Sequence, residues 1–383
     1  MPFPSSAPAV SRRRVVITGL GVVSPLGVGV EAFWRGLREG KSGVGRITLF
    51  DPSDLPCQVA AEAWDFDPSL YMEPKELRRV ARIAPMGIAA ALEAMRDAGL
   101  EPEALSETER EELHVIVGSG GGGVEFTERQ YELYFRRGPK RPSPFGISSS
   151  FVGMVASELS LALDARGMSH VVSTGCTSAT DAIGYAFYLI RWGQAEVALT
   201  GGLDACITQG LMTGFCNMQV VPTGFNHDPP RASRPFNLDR QGFVLGEGAW
   251  LLVLEELERA RRRGARVYAE VLGYGASCDN YHRVRTTPDG TGPYRAILSA
   301  LSDSGLAPGQ VDHVNLHGTS TPLNDVTETK ALKLAFGEHA YRLSTSATKS
   351  MIGHPQGACG AAGVAATALA ITEGFIPPTI NLE

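Results

Sequence analysis

The chain has 383 residues, enough for two domains or one large double one, and its composition is that of a globular α/β enzyme. A net charge of −6 excludes the overall basic signature of a nucleic-acid binder. Six cysteines, at 57, 176, 206, 216, 278 and 359, form no CxxC pair and no metal-ligand spacing, which points to a reducing cytoplasm and no metal.

In chain order, residues 1–12 read as a disordered tail, because the leader lacks the apolar run of a targeting segment. A buried strand is expected over 14–19 and a helix over 31–38. The string GLREGKS at 36–42 resembles a phosphate loop but is one residue short and follows a helix, so it is set aside. A single helix is expected over 75–100, ending at Gly99. The strand at 114–117 runs into Gly118-Ser119-Gly120-Gly121-Gly122-Gly123, which fits GxGxxG. No acidic strand end follows about 20 residues later to hold a ribose, so the run reads as a glycine-rich turn at a pocket wall.

Residues 171–189, VVSTGCTSATDAIGYAFYL, carry the chemistry. A short apolar strand turns through Ser173, Thr174 and Gly175 into Cys176, and helical spacing starts at Ala179. A thiol at such a turn faces free backbone N–H groups and the positive end of a helix, which favour the thiolate. Strands are expected at 196–200, 248–254 and 267–274, with a helix at 255–263. The uncharged run 357–371 is too short to span a bilayer and reads as a buried helix, so no membrane partner is expected.

The chain also repeats itself. Residues 91–100 parallel 297–306, Pro102 parallels Pro308, and each copy reaches a strand opening with His-Val, at His114 and His313. Residues 173–186 match 350–366 in kind, a turn of small residues and then an alanine-rich helix. Two alike halves imply a pseudo-twofold α/β protein with its site at the junction. The division falls at 13–264 and 265–383. The second half has far fewer residues after its matching helix, so it is expected to be truncated at its C-terminus.

Three strand-end turns then converge: Cys176, His317 in NLHGTSTP, and His354 in KSMIGH. A cysteine and two histidines at equivalent turns of a duplicated fold point to thiol chemistry. A hydrolase elbow is excluded, since Thr174 and Ser178 stand where that sharp turn needs glycine.

With GCTSA at 175–179, SRPFNLDRQGFVLGEGA at 233–249, HGTSTPLND at 317–325 and KSMIGHPQGACGAAG at 349–363, the sequence resembles a β-ketoacyl-[acyl-carrier-protein] synthase from Arg14 onward. The resemblance implies a thiolase-like αβαβα layered sandwich of two duplicated halves. It implies decarboxylative Claisen condensation of carrier-bound acyl and malonyl groups in fatty acid or polyketide synthesis, with no cofactor beyond the carrier's phosphopantetheine. Cys176 is then the nucleophile, His317 and His354 the donors to the thioester carbonyl, Lys349 a source of charge and hydrogen bonds, and Glu328 the support of a water network. Thr319 and Thr321 would bond the phosphopantetheine arm, with turn capping as their plainer role. Gly121 would leave an acyl gate wider than in long-chain synthases, with Phe215 or Met154 as possible fillers. The acidic acyl carrier protein would dock on Lys75, Arg78, Arg79, Lys140 and Arg141, and the assembly would be a homodimer. A non-catalytic partner subunit of a condensing heterodimer is the alternative, against which the intact Cys176-His317-His354 set speaks. The family's glycine-rich C-terminal loop, which completes its oxyanion hole, is absent from these 383 residues.

Overall fold

The computed structural model describes residues 12–383, so all of the expected tail but Arg12 lies outside the described residues. The chain opens with strands β1 (Val15–Ser24) and β2 (Gly27–Val28) and helix α1 (Val30–Arg38). A small pair, β3 (Gly45–Arg46) and β4 (Val59–Ala60), precedes α2 (Pro74–Leu77) and α3 (Ile83–Asp97). Next come α4 (Glu107–Glu112), β5 (Leu113–Gly118), α5 (Val124–Arg137), α6 (Met154–Leu163) and β6 (Ser169–Val172). The first half closes with α7 (Ser178–Arg191), β7 (Val197–Asp204), α8 (Gln209–Asn217), β8 (Gly248–Glu256) and α9 (Leu257–Arg262). The second half holds β9 (Ala269–Val271), α10 (Thr291–Ser304), β10 (His313–Asn315) and α11 (Pro322–Phe336). It continues through β11 (Ser344–Ser346), α12 (Lys349–Ile352) and α13 (Cys359–Glu373).

The main sheet has the order β2-β1-β8-β7-β5-β6, with β9 paired antiparallel to the first residues of β1. β5 runs parallel to β6 and β7, whereas β8 is antiparallel to β7 and β1. Strands β1, β7 and β8 are buried at every residue, because helices cover both faces of the sheet. On one face Met86, Met95 and Leu159 of α3 and α6 meet Val115, Leu199 and Leu251. On the other Phe33, Phe187 and Leu369 of α1, α7 and α13 meet Ile17, Leu252 and Trp250. The parallel pair β10-β11 meets α13 through β10, and α10 packs on α11, completing the thiolase-like order of α, β, α, β and α layers.

The repeat is visible in the backbone. Helix α3 stops at the left-handed Gly99 and α10 at the left-handed Gly305. Each is followed by a one-turn 3-10 helix that begins at proline, Pro102 or Pro308, and then, after the inserted α4 in the first half, by the strand that carries His-Val. The halves are nonetheless unequal among the described residues: the main sheet takes six strands from the first half and β9 from the second, and the second half's own sheet has only β10 and β11.

Two sequence expectations are corrected here. The strand expected to stop at Gly19 runs to Ser24, because Gly19 and Gly21 are contact points for α3 and not breaks. A Cβ on Gly21 would lie 1.9 Å from the Ala90 carbonyl oxygen, and one on Gly19 would lie 2.1 Å from that of Ala94. The helix expected over 75–100 is two helices with a break at residues 78–82. A continuous helix would place Pro85 in its interior, where the missing N–H and the ring clash with the preceding turn. With the break, Pro85 falls in the first turn of α3 and Arg82 is free to reach the fully buried Glu247 at 2.7 Å.

Gly21→Ala should therefore cost about 3 kcal/mol, the upper range for overpacking a tight contact. Gly214→Ala, in α8 with open space around it, should stabilise by about 0.5–1 kcal/mol. Urea denaturation of both variants checks the pair, and equal effects would mean that α3 does not rest on the β1 backbone.

Candidate active site

Cys176 sits in a one-turn 3-10 helix, Gly175–Thr177, between β6 and α7. Gly175 takes a left-handed φ of 67°, which swings the chain out of the strand. Ser178 locks the turn twice, accepting from the Thr174 N–H at 2.9 Å and donating to the Gly175 carbonyl at 2.6 Å. Asp181, in the first turn of α7, accepts from the Thr174 and Thr177 hydroxyls. The glycine run after β5 lets α7 come close: a Cβ on Gly118 would stand 2.3 Å from the Ala179 nitrogen.

That run also meets an anion, though not a phosphate. The Gly120 and Gly121 N–H groups each donate at 2.9 Å to the carboxylate of Asp204, at the end of β7. The Ser119 hydroxyl donates to it at 2.7 Å and the Gly357 N–H, from the turn before α13, at 2.6 Å. Asp204 is fully buried, and burial pushes its carboxyl above the usual range against the pull of these donors.

His317 follows β10. Its N–H and that of Gly318 donate to Glu328 of α11 at 2.6 and 2.8 Å. Glu328 thus grips the backbone of this turn directly, where the sequence suggested a water network. The Thr319 and Thr321 hydroxyls lie 2.9 Å apart, and Thr321 caps α11 by accepting from the Asn324 N–H. Lys349 opens α12, is buried, and forms no ion pair among the described residues.

His354 is held by backbone on both sides. Its N–H donates to the Val244 carbonyl at 2.7 Å, and its own carbonyl accepts from Gly246 at 3.0 Å. Its Nδ1 accepts from the Gln356 N–H at 3.0 Å, so the neutral ring carries its hydrogen on Nε2. Burial pushes the His354 pKa down to about 3, and the neighbouring Lys349 and His317 push the same way.

These turns converge. The Cys176 thiol and one ring nitrogen each of His317 and His354 lie within 4.8 Å of one another. The two rings meet edge to face at 5.5 Å between centroids. A cleft of about 450 Å³ opens above them between β9 and β10, lined by Cys176, His317, Lys349 and Cys359 and floored by α13. Cys359 places its sulfur 3.2 Å from the Cys176 carbonyl oxygen. Against the expectation that the turn favours the thiolate, the hydrogen bond with Cys359 and burial push the Cys176 thiol up.

The pocket residues fare differently. Phe215 packs on Phe243 at 5.1 Å, and Phe243 packs on His354 at 5.1 Å, so the aromatic nearest the site is Phe243. The open gate expected at Gly121 is not found. A Cβ there would meet the Cys206 sulfur at 2.3 Å, so Cys206, and not Phe215 or Met154, occupies that space. Lys75, Arg78, Lys140 and Arg141 are exposed. Arg79 is partly engaged, paired with Glu76 and stacked on Phe145 at 4.9 Å, a contact that joins the α2 region to the loop of Lys140 and Arg141.

A two-half layered fold with a cysteine and two histidines at its junction defines a thiolase-like condensing enzyme. The description of the β-ketoacyl synthase N-terminal domain matches residues 12–260, and that of its C-terminal domain matches 268–383. A 3-oxoacyl-[acyl-carrier-protein] synthase 2 from Synechocystis is 44% identical over 374 residues, spanning 98% of this chain and 89% of that protein. The ishigamide ketosynthase/chain length factor structure superposes with a TM-score of 0.86 at 36% identity, covering 97% of this chain and 89% of that one. A type II polyketide ketosynthase, solved in complex with its acyl-carrier protein and bound to the hexaketide, gives 0.87 at 31% identity with the same coverages. The chain belongs to the β-ketoacyl synthase family and is an acyltransferase of the 3-oxoacyl-[acyl-carrier-protein] synthase class.

His354 sets a pH dependence. Its folded pKa lies below its unfolded value of about 6.5, so the unfolded chain binds the extra proton and stability falls as pH drops below that value. Between pH 6.5 and 5 this one group should remove up to about 2 kcal/mol. His354→Asn should flatten the fall by that amount in urea titrations at the two pH values, whereas parallel curves would mean that the ring is not held neutral.

Proposed function

We propose that Cys176 is the acyl acceptor and that His317 and His354 together hold the enolate formed by decarboxylation. The convergence of one thiol and two imidazoles within 4.8 Å carries this reading. The Cys176 thiolate attacks the carrier thioester, and the phosphopantetheine thiol leaves with a proton. A malonyl thioester then loses CO₂, and the electron pair of the broken C–C bond moves onto the thioester as an enolate. The Nε2–H of His354 and a ring N–H of His317 donate to its oxygen, where charge develops. The carbanion attacks the acyl-Cys176 carbonyl and expels the thiolate, giving the 3-oxoacyl carrier. Lys349, buried beside them, supplies positive potential for the thiolate. No step calls for a resident cofactor or metal.

Glu328 fixes the His317 turn, and Thr319 and Thr321 border the path of the phosphopantetheine arm. The domain division is proposed at 264/265. The acidic carrier docks on the exposed Lys75, Arg78, Lys140 and Arg141, with Arg79 joining their two segments. A second copy pairs along β6, whose outer edge is unpaired and which packs against α6 with its exposed Leu161. No helix of the described residues is long and apolar enough to cross a membrane, and a cytoplasmic setting suits both the carrier and six unpaired cysteines.

Cys176→Ala should abolish acyl-enzyme formation, read by intact-protein mass after incubation with acyl carriers, while Cys176→Gln should still release CO₂ from malonyl carrier. Continued chain elongation by the alanine variant would remove Cys176 from the reaction. Reversing Arg78 and Lys140 to Glu should raise KM for carrier-bound donors roughly tenfold at low salt and spare small thiol donors. Equal loss with both donor types would assign those residues to folding.

A further inference from the structure

Cys359 has no part in the condensation, yet its sulfur lies against the nucleophile. It is the first residue of α13, and Cys176 lies in the turn that leads into α7, so two helix N-termini bring their thiols to one cleft. The Cys359 sulfur is 3.2 Å from the Cys176 carbonyl oxygen and 2.8 Å from that of Gln356, and its thiol is within hydrogen-bonding reach of the Cys176 side chain. The other four cysteines do not share this cleft. The two thiols titrate as a pair: the hydrogen bond between them lowers the Cys359 thiol, helped by Lys349, and the same hydrogen bond and burial raise the Cys176 thiol. The first proton leaves easily because the remaining S–H donates to the thiolate and the Lys349 ammonium lies close. A pair of a buried and a half-buried thiol holding one stabilised thiolate at a cleft is the arrangement in which an oxidised sulfur is captured by its neighbour.

We propose that Cys176 and Cys359 form a peroxide-responsive pair, in which Cys359 resolves oxidised Cys176 as a reversible disulfide. Cys176 passes its proton to the Cys359 thiolate and attacks one peroxide oxygen; the O–O bond breaks, and the departing hydroxide takes up a proton, leaving a sulfenic acid on Cys176. The Cys359 sulfur then attacks the sulfenic sulfur as its proton is lost. The S–O bond breaks, hydroxide leaves and combines with that proton as water, and the S–S bond forms. The pair gives up two electrons and hydrogen peroxide becomes two waters. Any dithiol reductant reverses the bond by exchange. The nucleophile is thereby kept from the sulfinic state, which thiols do not reverse. Loss of activity on oxidation rests on Cys176 being the acyl acceptor; formation of the bond does not.

The test treats the whole protein with hydrogen peroxide and maps tryptic peptides before and after dithiothreitol. Residues 167–191 contain Cys176 as their one cysteine, and residues 350–383 contain Cys359 as theirs. The expected product is these two peptides joined and lighter by two hydrogen atoms, with condensation lost on oxidation and restored by reductant. Cys359→Ala should still form the acyl-enzyme when reduced, and its reduced rate is the reference for its oxidised one. On oxidation it should yield Cys176 heavier by two oxygen atoms and activity that reductant does not recover. Wild-type protein that gives sulfinic Cys176 and no joined peptide would overturn the proposal, as would an alanine variant that recovers fully. A joined peptide with undiminished condensation would uphold the pair and overturn instead the assignment of Cys176 as nucleophile.

Discussion

The site depends on one buried carboxylate. Asp204 gathers the glycine turn after β5 and the turn before α13 onto a single group, through three backbone N–H groups and the Ser119 hydroxyl. The first turn belongs to the half that carries Cys176 and the second to the half that carries His354, so this clamp sets the distance between thiol and imidazole. Hydrogen bonds to a charged group are worth about 1.5–3 kcal/mol each, and the desolvation of a carboxylate is of similar total size. The net gain is therefore more in geometry than in stability. An aliphatic side chain in its place would leave those N–H groups buried and unpaired.

Charge in the site follows from how each half presents its turns. Helices α7 and α13 both start at the cleft, so their unpaired N–H groups face the same small volume. Lys349 adds a positive charge, and His354 stays neutral because it is buried and because Lys349 and His317 oppose a further cation. A neutral imidazole that accepts from a backbone N–H at Nδ1 has one hydrogen left to give, on Nε2. It therefore acts as a hydrogen-bond donor throughout the neutral range and need not exchange a proton with solvent.

Much of this was legible in the sequence, and what was hidden has a common cause. Small residues at a strand-to-helix turn are a local signal, so Cys176, His317 and His354 could be found without the fold. Tertiary partners are not local. Glycine is ambiguous in a sequence, as Gly19 and Gly21 look like a strand end but are where α3 touches the β1 backbone. Gly121 looks like an open gate, yet Cys206, from the far end of β7, fills the space. Asp204 gave a faint signal as a lone charge ending an apolar strand, but its partners lie 83 to 153 residues away. The break at 78–82 could have been read from Pro85 alone.

Cys359 shows how such a residue escapes notice. In the run GACGAAG it looks like one more small residue at the start of a helix that must lie close to its neighbours. Small size is what the position demands: across from it, a Cβ on Gly360 would already meet the Thr180 hydroxyl at 2.1 Å. Cysteine satisfies that demand nearly as well as alanine or serine would, while adding a sulfur beside the nucleophile. The same close approach of α7 and α13 that concentrates their N-termini on the cleft therefore sets this second thiol beside the first. Packing admits the residue, and its chemistry follows from where packing has put it.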